Sequence, residues 1–322
     1  MGKVKYNLQK NILIGISSCL LGEKVRFDGG HKRDDYICSL LANYVKFLPI
    51  CPEVAIGMGI PRPPVRLVGN PQNPRMIEIN HPEKDYTSKM LEFAKESMVQ
   101  LQYVSAYILK SKSPSCGWKR VKVYQSEGKQ PQLSQGLYAK ILEKTYPNLP
   151  IEEEGRLMDP RLRENFIERL FIYKEWQELL ENGLNPSSLI AFHTRHKLSL
   201  LAHHPLSYSR LGRALSQLDK ENFAILAEAY ISELMQALKF IATPKKHANV
   251  LQHCFGYFKK VLPREDKEEL LESIDNYRLG LIPLIVPITL LNHHLRHHAQ
   301  PYLENQSYLA PYPAELMLRN HI

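Results

Sequence analysis

Nowhere in this chain are two cysteines spaced as C-x-x-C, and 322 residues contain only five cysteines. An odd, scattered set does not suit a disulfide framework, so metal-binding or catalytic roles are the ones left open. Zinc ribbons and ferredoxin-type clusters need close pairs or runs of cysteine, and both are absent. Long hydrophobic runs are missing too. The longest, Leu279 to Leu291, is interrupted by Pro283 and Pro287 and is short for a bilayer, so it reads as a buried segment. The first ten residues hold three lysines and no apolar core, so no secretory signal is read. The expectation is a soluble, cytoplasmic protein with no membrane partner. There is no internal repeat and no low-complexity tract.

What is present fits a globular chain: 44% hydrophobic and 23% charged residues, and enough length for one large domain or two ordinary ones. The net charge of +9 points to a polyanionic partner such as nucleic acid. Part of that charge is local, since His193–Arg264 holds eleven Lys/Arg against four Asp/Glu.

The first half alternates strand-like and helix-like segments. Strands are predicted over Asn11–Ser17, Phe47–Ile50, Ser105–Leu109 and Leu149–Ile151. Helices are predicted over Asp35–Lys46, Tyr86–Gln100 and Ser134–Lys144, with Pro61–Pro74 as a proline-rich loop. This rhythm specifies an α/β domain with a parallel sheet. From Asp159 onward strand signals fade. Arg163–Glu181 reads as an amphipathic helix and Asn182–Ser188 as a linker. Six further helices are predicted, over Leu189–Leu200, Leu211–Leu218, Phe223–Phe240, Ala248–Val261, Lys267–Arg278 and Ile288–His297. The expected domains are 1–184 and 185–322.

Cys19, Cys51 and the Ser113–Cys116 loop each follow a predicted strand. In an open parallel sheet the carboxyl ends of the strands share one edge, where ligands bind. Three cysteines separated by 32 and 65 residues can therefore converge in one crevice. Buried structural thiols are the competing reading. Each of the three is flanked by Gly, Pro or Ser, which suit tight turns with exposed backbone N–H groups. Cys38 and Cys254 lack that setting and read as core thiols. Three ligands on a cluster would leave one iron free for a soft atom such as sulfur, whereas four would suit electron transfer. Glu53, taken alone, reads as a carboxylate in the first turn of a helix, and Ser113 as turn chemistry.

The runs Ile14–Gly30 (IGISSCLLGEKVRFDGG), Cys51–Val68 (CPEVAIGMGIPRPPVRLV) and Leu109–Gly117 (LKSKSPSCG) together resemble the thiouracil desulfidase family. The runs Phe192–Lys197, Asn249–Lys259, Leu284–Leu291 and Tyr308–Asn320 resemble a YbgA-like helical domain that accompanies it. The pair is similar to bacterial desulfidases that remove 4-thiouridine from tRNA. The resemblance implies a Rossmann-like α/β domain followed by an all-α domain that helps to recognise RNA. It also implies a 4Fe–4S cluster on Cys19, Cys51 and Cys116, with Glu53 as acid/base and Ser113 assisting proton transfer. The activity implied is non-redox hydrolysis of a thiolated uracil to uracil and hydrosulfide. Two alternatives stay open: a desulfidase of free thiouracil or another small thioamide, and a non-enzymatic Fe–S sensor that binds RNA.

On the RNA reading, Arg26, Lys32, Arg33, Arg62 and Arg66 are candidate phosphate contacts, against a default of solvated surface charge. Asp28-Gly29-Gly30 is a turn whose glycines permit close approach to a ligand, or an ordinary turn. Glu152–Arg156 is a further candidate for the crevice. Eleven of 13 histidines lie beyond residue 192. His193/His196 and His293/His297 have helical spacing that could seat a metal, with packed histidines or RNA contacts as the alternative. The aromatic run Phe255, Tyr257 and Phe258 is either core or a base-stacking surface.

Overall fold

The computed structural model describes residues 12–125, 129–218 and 221–322. The chain forms two compact units, 1–158 and 159–322. The division falls ahead of the expected 184/185 boundary, because the helix over Pro160–Glu181 packs Ile172 and Trp176 with Leu189, Phe192 and Tyr230 of the helical unit.

The described residues of the first unit form eight strands: β1 (Leu13–Ser17), β2 (Lys46–Ile50), β3 (Val65–Val68), β4 (Arg75–Glu78), β5 (Ala106–Leu109), β6 (Val121–Tyr124), β7 (Gln132–Ser134) and β8 (Ile151–Glu153). One sheet has the order β2-β1-β5-β8 and is parallel throughout. Its central strands β1 and β5 are nearly continuous apolar runs and almost wholly buried, as expected where a sheet is covered on both faces. At Gly15 of β1 a methyl group would lie 2.3 Å from the Tyr107 ring of β5, so only glycine permits this packing. The strand expected from Asn11 starts at Leu13, and Asn11 itself lies outside the described residues.

A second sheet, ordered β4-β3-β6-β7, was not anticipated. Its strand β3 lies within the stretch Pro61–Pro74 read as a proline-rich loop, and β4 follows directly after it. The prolines at 61, 63, 64, 71 and 74 flank the paired residues, so no ladder hydrogen bond of this hairpin needs a proline N–H. The helix expected over Asp35–Lys46 is instead a wide turn, Tyr36–Leu40, followed by a tight one, Leu41–Asn43. Among the described residues of this unit three α-helices accompany the sheets: the single turn α1 (Pro52–Ala55), α2 (Thr87–Ser97) and α3 (Leu137–Thr145).

The second unit is helical: α4 (Pro160–Glu181), α5 (Pro186–His203), α6 (Pro205–Ser216), α7 (Phe223–Ala237), α8 (Pro244–Gly256), α9 (Arg264–Arg278), α10 (Ile285–His297) and the short α11 (Pro301–Glu304). Five of these begin at proline, whose missing N–H is unneeded in a first turn. Asp159, Asn185 and Thr243 cap α4, α5 and α8 through their side chains. No helix among the described residues is long and apolar enough to cross a membrane.

Helix α4 departs from the amphipathic expectation, because Glu164 to Leu170 are buried without a break. Its polar side chains find partners inside the unit. Glu164 accepts from Tyr312 Oη at 2.9 Å and lies 3.3 Å from Arg319 Nε. Asn165 donates to Leu238 O at 2.7 Å. Glu168 Oε2 is 2.9 Å from His203 Nε2.

Burial opposes charge on Glu168, yet the His203 imidazolium and its hydrogen bond hold the carboxyl below the usual range. Burial likewise opposes the imidazolium, and Glu168 lifts His203 above its ordinary value. The His203 contribution to stability is complete below its ordinary value of 6.5 and fades as pH rises through the raised one. The Glu168 contribution is present above 4.5 and fades in acid. Removing one partner of a fully buried pair strands the other. Glu168→Ala is therefore expected to cost about 3–5 kcal/mol near pH 6, read as a shift in the urea midpoint. A loss below about 1 kcal/mol would show the pair to be dispensable.

Candidate active site

The carboxyl ends of β1, β2 and β5 each run into a cysteine-bearing loop. After β1, Cys19 sits in the tight turn Ser18–Leu21, closed by Gly22 at φ 98°, and Lys32 N donates to Cys19 O at 2.8 Å. After β2, Cys51 precedes α1, with Pro52 opening the helix and Glu53 in its first turn. Ala55 N donates to Cys51 O at 3.0 Å, which fixes this turn.

After β5, Ser113–Cys116 is held by the start of α3. Leu137 N donates to Pro114 O at 3.1 Å, while Tyr138 N and Ala139 N donate to Ser115 O at 3.1 and 3.2 Å. These are N–H groups that a helix cannot satisfy internally. A Cβ at Gly136 would lie 2.4 Å from Ser115 O, so this approach requires glycine.

The three loops enclose a cavity of about 360 Å³. It is lined by Cys19, Cys51 and Cys116 together with Glu53, Ser113, Ser115, Arg26, Phe27, Lys32, Arg62 and Lys110, among others. All three thiols are free. Burial pushes each thiol up, Cys19 to about 11 with a further contribution from Cys51. The Lys110 and Arg26 cations favour the Cys19 thiolate, and the hydroxyls of Ser17 and Ser115 favour that of Cys116. Protonated buried thiols become good ligands once a metal displaces their protons.

Glu53 is held from two sides. Its Oε2 accepts from Arg62 Nη2 at 2.5 Å and Nε at 3.1 Å. Its Oε1 lies 2.7 Å from Ser115 Oγ and 3.2 Å from Ser113 Oγ, and the two hydroxyls are 2.9 Å apart. Ser113 Oγ also accepts from Cys116 N at 3.2 Å, which closes the loop. Proton donors and an acceptor thus stand in one short chain beside the thiols.

Among the candidate substrate contacts, Arg26, Lys32 and Arg62 line the cavity. Arg62 is not open to a phosphate, because its guanidinium is buried on Glu53, Val25 O and Gly59 O. Asp28, Gly29, Arg33 and Arg66 do not line the cavity. Asp28 forms a turn, accepting from Gly30 N at 3.0 Å and pairing with Arg26, while Gly29 takes φ 73°. Arg33 pairs with Asp35 at 2.6 Å, and Arg66 lies over the Tyr124 ring. From the Glu152–Arg156 segment, Glu154 reaches the rim, bonding Lys110 Nζ and Ser111.

Ser115 and Lys110 were not singled out from the sequence, although both lie in the run LKSKSPSCG. The Ser-Pro-Ser spacing was the available signal, since it sets two hydroxyls on either side of one turn.

Of the histidines singled out in the second unit, His193 and His196 are engaged in hydrogen bonds within it, while His293 and His297 are exposed. His193 Nδ1 is 3.2 Å from Tyr230 Oη, and burial pulls it down to about 4. His196 lies between Ser307 Oγ at 2.8 Å and Glu175 at 3.2 Å. His293 and His297 rest ring against ring. Among the described residues no three His, Cys, Asp or Glu side chains converge on one point as a single metal ion requires.

Residues 14–154 match the family model described as 2-thiouracil desulfurase, and residues 197–313 match one described as a protein of unknown function, DUF1722. Uncharacterized protein YbbK of Bacillus subtilis (strain 168) is 32% identical over 111 residues, 33% of this chain and 73% of that protein. Residues 14–154 of this chain are a 2-thiouracil desulfurase-family domain. This domain is joined to a YbgA-like domain: uncharacterized protein YbgA of Escherichia coli (strain K12) is 30% identical over 161 residues, 50% of this chain and 95% of that protein. A solved structure titled as a 4Fe–4S-dependent thiouracil desulfidase, TudS, shares 29% identity over 45% of this chain and 93% of its own, with a TM-score of 0.37.

Proposed function

We propose that this desulfurase-family protein removes sulfur from 4-thiouridine in tRNA by hydrolysis, using a 4Fe–4S cluster held by Cys19, Cys51 and Cys116. The observation that carries the reading is the meeting of three free thiols, from three strand ends, in one cavity with Glu53 and Ser113. The donor set fits the cluster, since soft thiolates are the ligands iron–sulfur clusters take. When bound, a cluster with three protein ligands supplies an open iron, a soft Lewis acid for a thiocarbonyl sulfur.

The chain's own residues do the rest. Glu53 Oε1 takes a proton from a water that attacks the ring carbon bearing sulfur. Ser113 and Ser115, hydrogen-bonded to that oxygen, carry the proton back to the departing hydrosulfide. One water enters and one hydrogen sulfide leaves, with no change in oxidation state.

Three features support an RNA substrate. The net charge is +9, and Arg26, Lys32, Lys110 and Lys112 line the cavity. In the helical unit Tyr257 is exposed and stacks on Tyr302 at 5.0 Å, with Lys197 Nζ 4.5 Å from the Tyr302 ring and Lys259 and Lys260 exposed nearby. Aromatic faces rimmed by cations suit unpaired bases. Phe255 and Phe258, by contrast, are buried core.

The free-base alternative draws on the size of the cavity, about 360 Å³, which is near the small end for ligand sites. The test is anaerobic reconstitution with iron and sulfide, then incubation with bulk bacterial tRNA and nucleoside mass spectrometry. The expected result is loss of 4-thiouridine matched by a gain of uridine. Turnover of free thiouracil without tRNA affinity would favour the free-base reading, and tRNA binding without sulfide release a sensor.

A further inference from the structure

We infer that Arg62 is a positioning residue for this reaction, holding the Glu53 carboxylate so that only Oε1 faces the serines. The inference rests on the reading of Glu53 as the reacting carboxylate. The Arg62 side chain is 2% exposed and that of Glu53 13%. Both Arg62 nitrogens that reach Glu53 fall on one oxygen, Oε2, at 2.5 and 3.1 Å.

An arginine pairing fork to fork would engage both carboxylate oxygens. Here the cation is confined to one of them. The other is left to Ser115 and Ser113, whose hydroxyls can exchange a proton with it.

The guanidinium is in turn immobilised. Nη1 donates to Val25 O at 2.9 Å and Gly59 O at 3.1 Å, and Arg62 N donates to Phe27 O at 2.8 Å. Val25 belongs to the loop that follows Cys19, and Gly59 to the loop that follows Cys51. Val25 O also accepts from Cys51 Sγ at 3.7 Å. Arg62 therefore references the direction of Glu53 to two cysteine-bearing loops at once. A lysine carries the charge but not the planar fork, so it cannot reach Oε2 and both carbonyls together.

The test uses Arg62→Lys in the full chain, with Arg62→Gln as substitute should the lysine variant not fold. A crystal structure of the variant is expected to show Glu53 Oε1 moved out of hydrogen-bond distance of Ser115. In the reconstituted protein, kcat on 4-thiouridine tRNA is expected to fall roughly a hundredfold while KM stays within about threefold, the cost of a misplaced reacting group. Iron content should be unchanged. In a Glu53→Gln background the same substitution should lower kcat no further, because Arg62 acts only through Glu53.

A Glu53 that keeps its position in the variant would overturn the inference alone, as would an equal loss in the Gln background. A displaced Glu53 with undiminished kcat would instead sink the reading of Glu53 as the reacting group.

Discussion

Cys116→Ala is expected to abolish both iron retention and desulfuration. Cys116 is 5% exposed, and its loop is tied to α3 by three backbone hydrogen bonds, so no neighbouring donor can move in to replace the thiolate. Loss of an outer-sphere partner costs roughly 10–100-fold in metal affinity, and loss of a direct ligand should exceed that. The measurement is iron and acid-labile sulfide per chain after anaerobic reconstitution, alongside visible absorbance. The matched control is Cys254→Ala, which removes a fully buried thiol from the core of the helical unit and should retain full iron. Equal iron in both variants would show that Cys116 is not a ligand.

Glu53→Gln is expected to keep its iron and lose turnover by about 10²–10⁴-fold, the range for removal of a general base. The amide is isosteric, and its oxygen can still accept from Arg62 while its NH2 faces the serine hydroxyls. The arginine is then left without a countercharge, so some stability is lost. Single-turnover kinetics on reconstituted protein separates the two effects, since a folded, iron-loaded variant with a slow step has lost chemistry. Turnover at the wild-type rate would remove Glu53 from the mechanism.

The cysteine edge was legible in the sequence because a parallel sheet leaves little choice: every strand that ends in a tight turn delivers its next residues to the same edge. Cys19, Cys51 and Cys116 follow β1, β2 and β5 in that way. The second sheet was not legible. Its strands are only three or four residues long, and β3, β4 and β7 lie beside prolines whose usual meaning is a loop. Helix α4 misled for a related reason. Glu164 and Glu168 look like part of a solvated face until Arg319 and His203 are seen to meet them across long sequence separations. Arg62 read as a candidate phosphate contact because its partners, Glu53 and the carbonyls of Val25 and Gly59, are assembled only by the fold.

The first turn of α3 has a consequence for how the cavity handles negative charge. Helix amino-termini are ready-made anion receptors. In this chain the Leu137, Tyr138 and Ala139 amides already bind loop carbonyls, so α3 cannot turn them toward a ligand. In the proposed reaction, the cations that line the cavity, Lys110, Arg26 and Lys32, are then the groups placed to meet a departing anion. The charge balance of the cavity is thus set by a few separate residues, each of which can be changed without unwinding a helix.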